Sequence, residues 1–245
     1  MVGEADQDED LRASLAALSE LATGHMDLPD VLTRVAEFAV RAIPGADGAG
    51  VTLIEAGHAD TIVASAPFVG LVDDIQYGIA EGPCITAAAE ARTVRSGLLE
   101  VDPQWPRFGA RVAHIGVQSA LSLPLLTSKG VLGAMNVYAY KGDAFDDRSA
   151  LLGELFAVPA AIAVQNALVL AQAKRLALQL QAALDNRAVI DQARGIVMSR
   201  VGCGEAEAFD RLRQASQDQN VKLHTVARSL VDEAIHRAKA RHVNR

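Results

Sequence analysis

The chain has 245 residues, half of them hydrophobic, and a net charge of −7, enough for one large or two medium domains with cores of their own. No uninterrupted apolar run approaches the ~20 residues of a membrane helix, and the acidic start MVGEADQDEDL lacks the basic-then-apolar order of a signal peptide, so the expected compartment is the cytoplasm. Two cysteines 119 positions apart, Cys84 and Cys203, argue against a disulfide framework and against a clustered metal site.

Leu11 to Thr23 and Leu28 to Ile43 read as helices, the second with Leu28, Leu32, Val35, Ala36, Ala39 and Val40 at three- and four-residue spacing. Asp27 stands where an N-cap is wanted, and Pro29 falls in the first turn. Beyond Pro44 the pattern changes: residues 48 to 54 and 61 to 65 read as a hairpin around EAGHAD. Further strands are predicted at Thr93 to Leu99, Ala120 to Leu126 and Val131 to Tyr140, the last two paired antiparallel through the short link from Thr127 to Gly130. Short helices are predicted at Thr86 to Ala91 and Pro106 to Ala113. Strands bracketed by helices at both ends predict an α+β domain with helices on one face of an antiparallel sheet. Asp73 and Asp74 read as loop or cap residues, as do Asp146 and Asp147. His25, His58 and His114 stand apart from one another, and no nucleophile and base pair is legible, so an enzyme is not expected.

From Asp147 onward a long helix is predicted, its stretch from Ala160 to Arg194 rich in Ala, Leu and Gln. Leu176, Leu180, Ala183, Ile190 and Val197 fall on a 3.5-residue seam that would zip two protomers in parallel. Charge is divided unevenly along the chain. Residues 1 to 184 hold 12 Lys and Arg against 22 Asp and Glu, a net −10, while residues 185 to 245 hold 11 against 8, a net +3. A basic tail on an acidic body fits a nucleic-acid partner and equally fits a solvated helical face.

In that tail, Val189, Ile190, Ala193, Ile196 and Val197, then Phe209, Leu212 and Ala215, then Leu223, Val226, Ala227, Leu230 and Val231 describe three helices closing one small core, with Phe209 read as its anchor ahead of a stacking platform for a base. Arg187, Gln192, Arg194 and Arg200 lie beside the first stripe; Arg213, Ser216, Asn220 and Lys222 follow on the second and third. Guanidinium groups clamp phosphates or stack on bases, and amides and hydroxyls read base edges. Spacing alone leaves open whether these residues do so or form local ion pairs. Gly195 inside a helix costs ~1 kcal/mol relative to Ala, which asks for a close approach by another helix or by a nucleic-acid backbone. Gly202 reads as a helix stop and Gly204 as an N-cap, with Glu207 as capping partner.

Residues 186 to 227, NRAVIDQARGIVMSRVGCGEAEAFDRLRQASQDQNVKLHTVA, closely resemble the ANTAR domain, an RNA-binding antiterminator module of bacterial regulators. The pattern is met at Arg187, Ile190, Gln192, Ala193, Arg194, Gly195, Met198, Arg200, Ala208, Phe209, Leu212, Arg213, Ser216, Asn220, Lys222 and Leu223. Departures are Arg194 and Val197 for lysine and leucine, and Gly204 for Ser or Thr. Residues 78 to 125 resemble a GAF domain of the version that precedes ANTAR in actinobacterial-type regulators. Glu81, Gly82, Pro83 and Cys84, then Asp102 with Trp105, Pro106, Arg107 and Phe108, and then Gly116, Ser119 and Pro124 carry that likeness, which Gly133, Asn136, Tyr138 and Phe145 extend.

The expected architecture is a GAF-like sensor over residues 1–165, a helical coiled-coil linker over 166–184, and an all-α three-helix ANTAR-like domain over 185–245. The resemblance implies a homodimer that binds paired stem-loops in leader transcripts, causing antitermination or altered translation. Arg187, Gln192, Arg194, Arg200, Arg213, Ser216, Asn220 and Lys222 are the RNA-binding candidates. Cys84, at the start of a helix, reads either as a redox-active thiol or as a buried inert one. Trp105 reads either as a pin for its loop or as a platform for a planar ligand. These two are the sensor-pocket candidates; a small-molecule ligand is possible there and its identity is unknown. The rival readings are a ligand or redox sensor acting through protein partners, with the tail as a dimerisation device, and a DNA-binding regulator that uses the helical tail.

Overall fold

Apolar side chains recurring every second residue build the sheet of the computed structural model, which describes residues 4–23, 26–55 and 58–243. Two units are distinguished, Met1–Ala171 and Gln172–Arg245.

In the first unit, helices α1 (Glu4–Thr23) and α2 (Leu28–Ala42) precede strands β1 (Gly48–Glu55) and β2 (His58–Ala64). Helices α3 (Pro67–Ile79) and α4 (Pro83–Glu90), strand β3 (Val94–Ser96), helix α5 (Pro106–Val112) and strands β4 (Ser119–Thr127) and β5 (Gly130–Ala139) follow. The sheet order is β2-β1-β5-β4-β3, every pairing antiparallel. Pro124 is accommodated in β4 because β3 reaches only to Ser122, leaving the side that lacks an N–H without a partner strand.

Both faces of the sheet are covered, not one. Ala49, Val51, Leu53, Leu121, Leu123, Leu125, Met135 and Val137 pack against α2 and the start of helix α6 (Asp147–Val201). The alternate residues turn to the other side, where Ala120 and Tyr138 join Val69, Val72, Ala87, Trp105 and Phe108 of α3, α4 and the α5 region. Residues 67–79 form a helix where no helix is expected from the sequence. Pro67 stands in the first turn and Ala80 closes α3 in the left-handed conformation (φ 53°), and the apolar residues between them mask a helix whose buried stripe includes Asp73 and Gln76.

Helix α6 runs for 55 residues through Pro159. One 18-residue window of it is apolar enough, by length and composition, to cross a membrane. Its inward face accounts for part of that apolarity: Phe156, Ala160, Ala161 and Val164 are buried in the sheet core, where full burial of a side chain such as Phe156 is worth about 1.5 to 3 kcal/mol, while Leu155, Val158, Ile162 and Val169 on the same stretch are exposed.

In the second unit the end of α6, helix α7 (Glu205–Asp218) and helix α8 (Leu223–Val243) enclose Ala193, Leu212 and Ala227. Gly202 ends α6 at φ 74°, a left-handed position that glycine takes without a Cβ penalty. Gly204 is the N-cap of α7, but Glu207 turns to Arg211 instead of capping.

Candidate functional site

On the side of the sheet under α3 and α4, the two-residue alternation brings polar side chains into a buried layer: Thr52 from β1, Ser122 from β4, and Asn136 and Tyr138 from β5. Helix α3 contributes Asp73 and Gln76, also buried. Asp73 Oδ1 accepts from Tyr138 OH at 2.6 Å, Gln76 Nε2 at 2.9 Å and Asn136 Nδ2 at 3.1 Å. Ser122 Oγ donates to Asn136 Oδ1 at 2.9 Å, and Gln76 Oε1 accepts from the Cys84 N–H at 3.0 Å. Asp73 Oδ2 has no hydrogen-bond partner among the described residues. A Cβ at Gly50 would come within 2.6 Å of it, so the bare glycine makes room for this carboxyl.

Burial is the largest influence on Asp73 and raises its pKa from 3.8 to about 7, against the lowering effect of its three donors. No cation among the described residues offsets it. The sequence offered a signal for this site: Asp73 and Gln76 share a helical stripe with Val69 and Val72, and Thr52, Ser122 and Asn136 sit on alternation positions that otherwise carry apolar residues. Asp73 is therefore a buried helix residue and not the loop or cap residue expected.

The two sensor-pocket candidates have other occupations. Cys84 is fully buried, its thiol pushed up to about 12 chiefly by burial, and its Sγ lies 2.7 Å from Tyr77 OH. It is the inert alternative, because a thiolate is the reactive form. Trp105 is buried and its Nε1 donates to Thr86 Oγ1 at 3.0 Å, so it pins its loop to α4. The neighbouring motifs clamp each other: Glu81 accepts from the Arg107 guanidinium at 2.6 Å and from the backbone N–H groups of Arg107 and Phe108 at 2.7 and 3.1 Å, at the start of α5. Those bonds, the Arg107 side chain first, hold the Glu81 carboxyl below its ordinary pKa.

The eight RNA-binding candidates separate into groups. Arg187 and Arg194, seven residues apart on α6, line a groove of about 420 Å³ together with Phe209. Arg194 bridges Asp191 at 3.1 Å and Glu205 at 2.6 Å. Gln192 and Arg200 line a different groove of about 660 Å³ with Gly195 and Ile235, and Arg200 lies 3.6 Å from Glu233. Arg213 pairs with Asp210 at 3.0 Å, and Lys222 is exposed. Ser216 and Asn220 build the turn between α7 and α8: the Ser216 hydroxyl donates to the Val221 carbonyl at 2.5 Å, and Asn220 is left-handed at φ 51°, a conformation asparagine tolerates.

Three expectations are corrected. Phe209 is not the core anchor; it stays 36% exposed, outside the cluster around Leu212. A Cβ on Gly195 would meet nothing within 4 Å, so no helix among the described residues packs on it. Ile190 and Val197 pack on their own core, which shortens the expected seam to Leu176, Leu180 and Ala183, all exposed. Upstream, the exposed Leu155, Ile162 and Val169 continue its seven-residue spacing. No group of His, Cys, Asp and Glu suited to a metal ion occurs among the described residues; His25 lies outside them.

A sheet with a sealed polar layer under its helices, followed through one long helix by a small helical unit with arginine-lined grooves, defines a two-domain protein. The chain belongs to the GAF family: the GAF domain model matches residues 25–165, more than half of it, and the ANTAR domain model matches residues 178–231. Both are regulatory domains. The chain is similar to the GAF domain from a phosphoenolpyruvate-protein phosphotransferase of Coxiella burnetii, at 13% identity and a TM-score of 0.52, over 66% of this chain and 96% of that one. It is similar to a free methionine-R-sulfoxide reductase of Neisseria meningitidis at 17% identity and a TM-score of 0.49, over 64% and 89% of the two chains. At these identities the likeness concerns the fold alone. No match was found among curated proteins.

Proposed function

We propose that this protein is a cytoplasmic, signal-responsive RNA-binding regulator and not an enzyme, in which the GAF domain is the sensor and the ANTAR domain the effector. The observation that carries the reading is the ANTAR match over residues 178–231, within which Arg187, Gln192, Arg194, Arg200 and Arg213 line grooves or stand exposed. Its target is a pair of stem-loops in a leader transcript, and binding there causes antitermination or altered translation. Two loops require two binding surfaces, which a parallel homodimer supplies; the exposed Leu155, Ile162, Val169, Leu176 and Leu180 support a second copy as partner. On the sensor side, the buried Cys84 speaks against a thiol signal, and Asp73 in the buried polar layer is the place where a proton would act.

The experiment is to sequence the RNA that copurifies with the protein from its native cell and to measure its binding by gel shift against duplex DNA of equal length. Enriched stem-loop RNA, bound more tightly than the duplex and with a strong salt dependence, is the expected result. Binding of neither nucleic acid would favour a sensor acting through protein partners.

A further inference from the structure

We propose that the groove around Phe209 captures one unpaired RNA base, with the aromatic ring as its stacking platform and Asn186, Arg187 and Arg194 as the groups that read and anchor the nucleotide. The inference rests on the RNA-binding reading above and adds a defined base site to it. Phe209 follows the buried Ala208 on α7, and its ring is withheld from the core that Ala193, Leu212 and Ala227 form. An aromatic residue left more than one-third exposed on a small domain whose core holds only aliphatic side chains is apolar surface without an internal role.

What surrounds the ring selects a base over an apolar peptide side chain. The groove of about 420 Å³ is lined by Ile190 and Leu223, which give apolar contact, by Asn186, Arg187 and Arg194, and by Asp191 and Glu205, the two carboxylates that pair with Arg194. Arg187 is exposed and makes no ion pair among the described residues, so its guanidinium is available to a phosphate. The Asn186 amide offers one acceptor and two donors, the complement of a base edge. Arg194 is held by Asp191 and Glu205; Glu205 is 66% exposed, and a phosphate arriving beside it displaces a weak surface bridge. Every base presents a π-face, so the ring supplies affinity while the amide supplies preference.

The test uses the full chain and RNA hairpins selected by it from a library with randomised loops, each loop position then replaced in turn by 2-aminopurine. One loop position is expected to lose fluorescence on binding, the mark of stacking, and Phe209→Leu is expected to abolish that quenching and weaken binding about 10- to 100-fold, as base–aromatic stacking does. Phe209→Tyr should retain both. Circular dichroism and light scattering on the same preparations confirm that the fold and mass are unchanged, and Asn186→Ala should alter which base is enriched without lowering the melting temperature. If hairpins are selected but Phe209→Leu binds and quenches like the parent, the base site is wrong while the RNA reading stands. If the parent enriches no hairpin at all, the RNA reading fails and this site with it.

Discussion

Tyr138 OH donates to Asp73 Oδ1 across 2.6 Å, joining the innermost strand of the sheet to α3 through a carboxyl that no cation among the described residues neutralises. Burial holds the Asp73 pKa at about 7, so the folded chain keeps a proton that the unfolded chain, titrating near 3.8, gives up. The sign follows from linkage: an acid with a raised folded pKa favours the fold at low pH, and that contribution is lost as pH rises from about 4 through about 7. Asp73→Asn, which keeps the acceptor oxygen and cannot ionise, removes this component. Denaturant unfolding of the full chain should show the parent falling relative to Asp73→Asn between pH 5 and pH 8. Parallel pH profiles for the two proteins would show that Asp73 does not titrate in this range.

Arg194→Ala should leave folding within about 1 kcal/mol of the parent, because both of its bridges lie at the surface. Stem-loop affinity should fall by about 1 to 3 kcal/mol if the guanidinium touches a base edge. Glu205→Gln, which frees the same guanidinium, should raise affinity by up to about 5-fold, the worth of an exposed bridge. Unchanged affinity in both variants, each still folded, removes Arg194 from the interface.

Light scattering is expected to give the mass of a dimer for the parent. Leu176→Glu combined with Leu180→Glu should reduce it to a monomer without changing the helical content, since both side chains are already more than half exposed and their loss creates no cavity within the chain. A parent that is monomeric with and without stem-loop RNA ends the parallel-dimer proposal.

Residues 1–171 alone should show no affinity for stem-loop RNA, because the acidic charge of the first unit repels phosphates. Tight binding by that fragment would overturn the division between sensor and effector.

Local pattern made much of this protein legible. The spacing of Leu32, Val35, Ala36 and Ala39, the alternation in β4 and β5 and the stop at Gly202 each depend on neighbours within one helix turn or one strand, and the two family motifs are ordered strings of residues, so all of this information is written along the chain. The polar layer was legible only residue by residue, as polar side chains at positions of helical and strand periodicity; its assembly was not, since Asp73 lies more than 60 residues from Asn136 and Tyr138. Each alone looks like an ordinary helix or strand residue, and only the packing of α3 on the sheet makes Asp73 a buried acid. Phe209 was misread for the converse reason: hydrophobicity at helical spacing predicts burial on average, but three helices of small and branched residues fill their core with Leu212 and its neighbours. Only tertiary packing decides which member of an apolar stripe is left facing solvent, because the interior has a finite volume and the side chains that fill it come from all three helices at once.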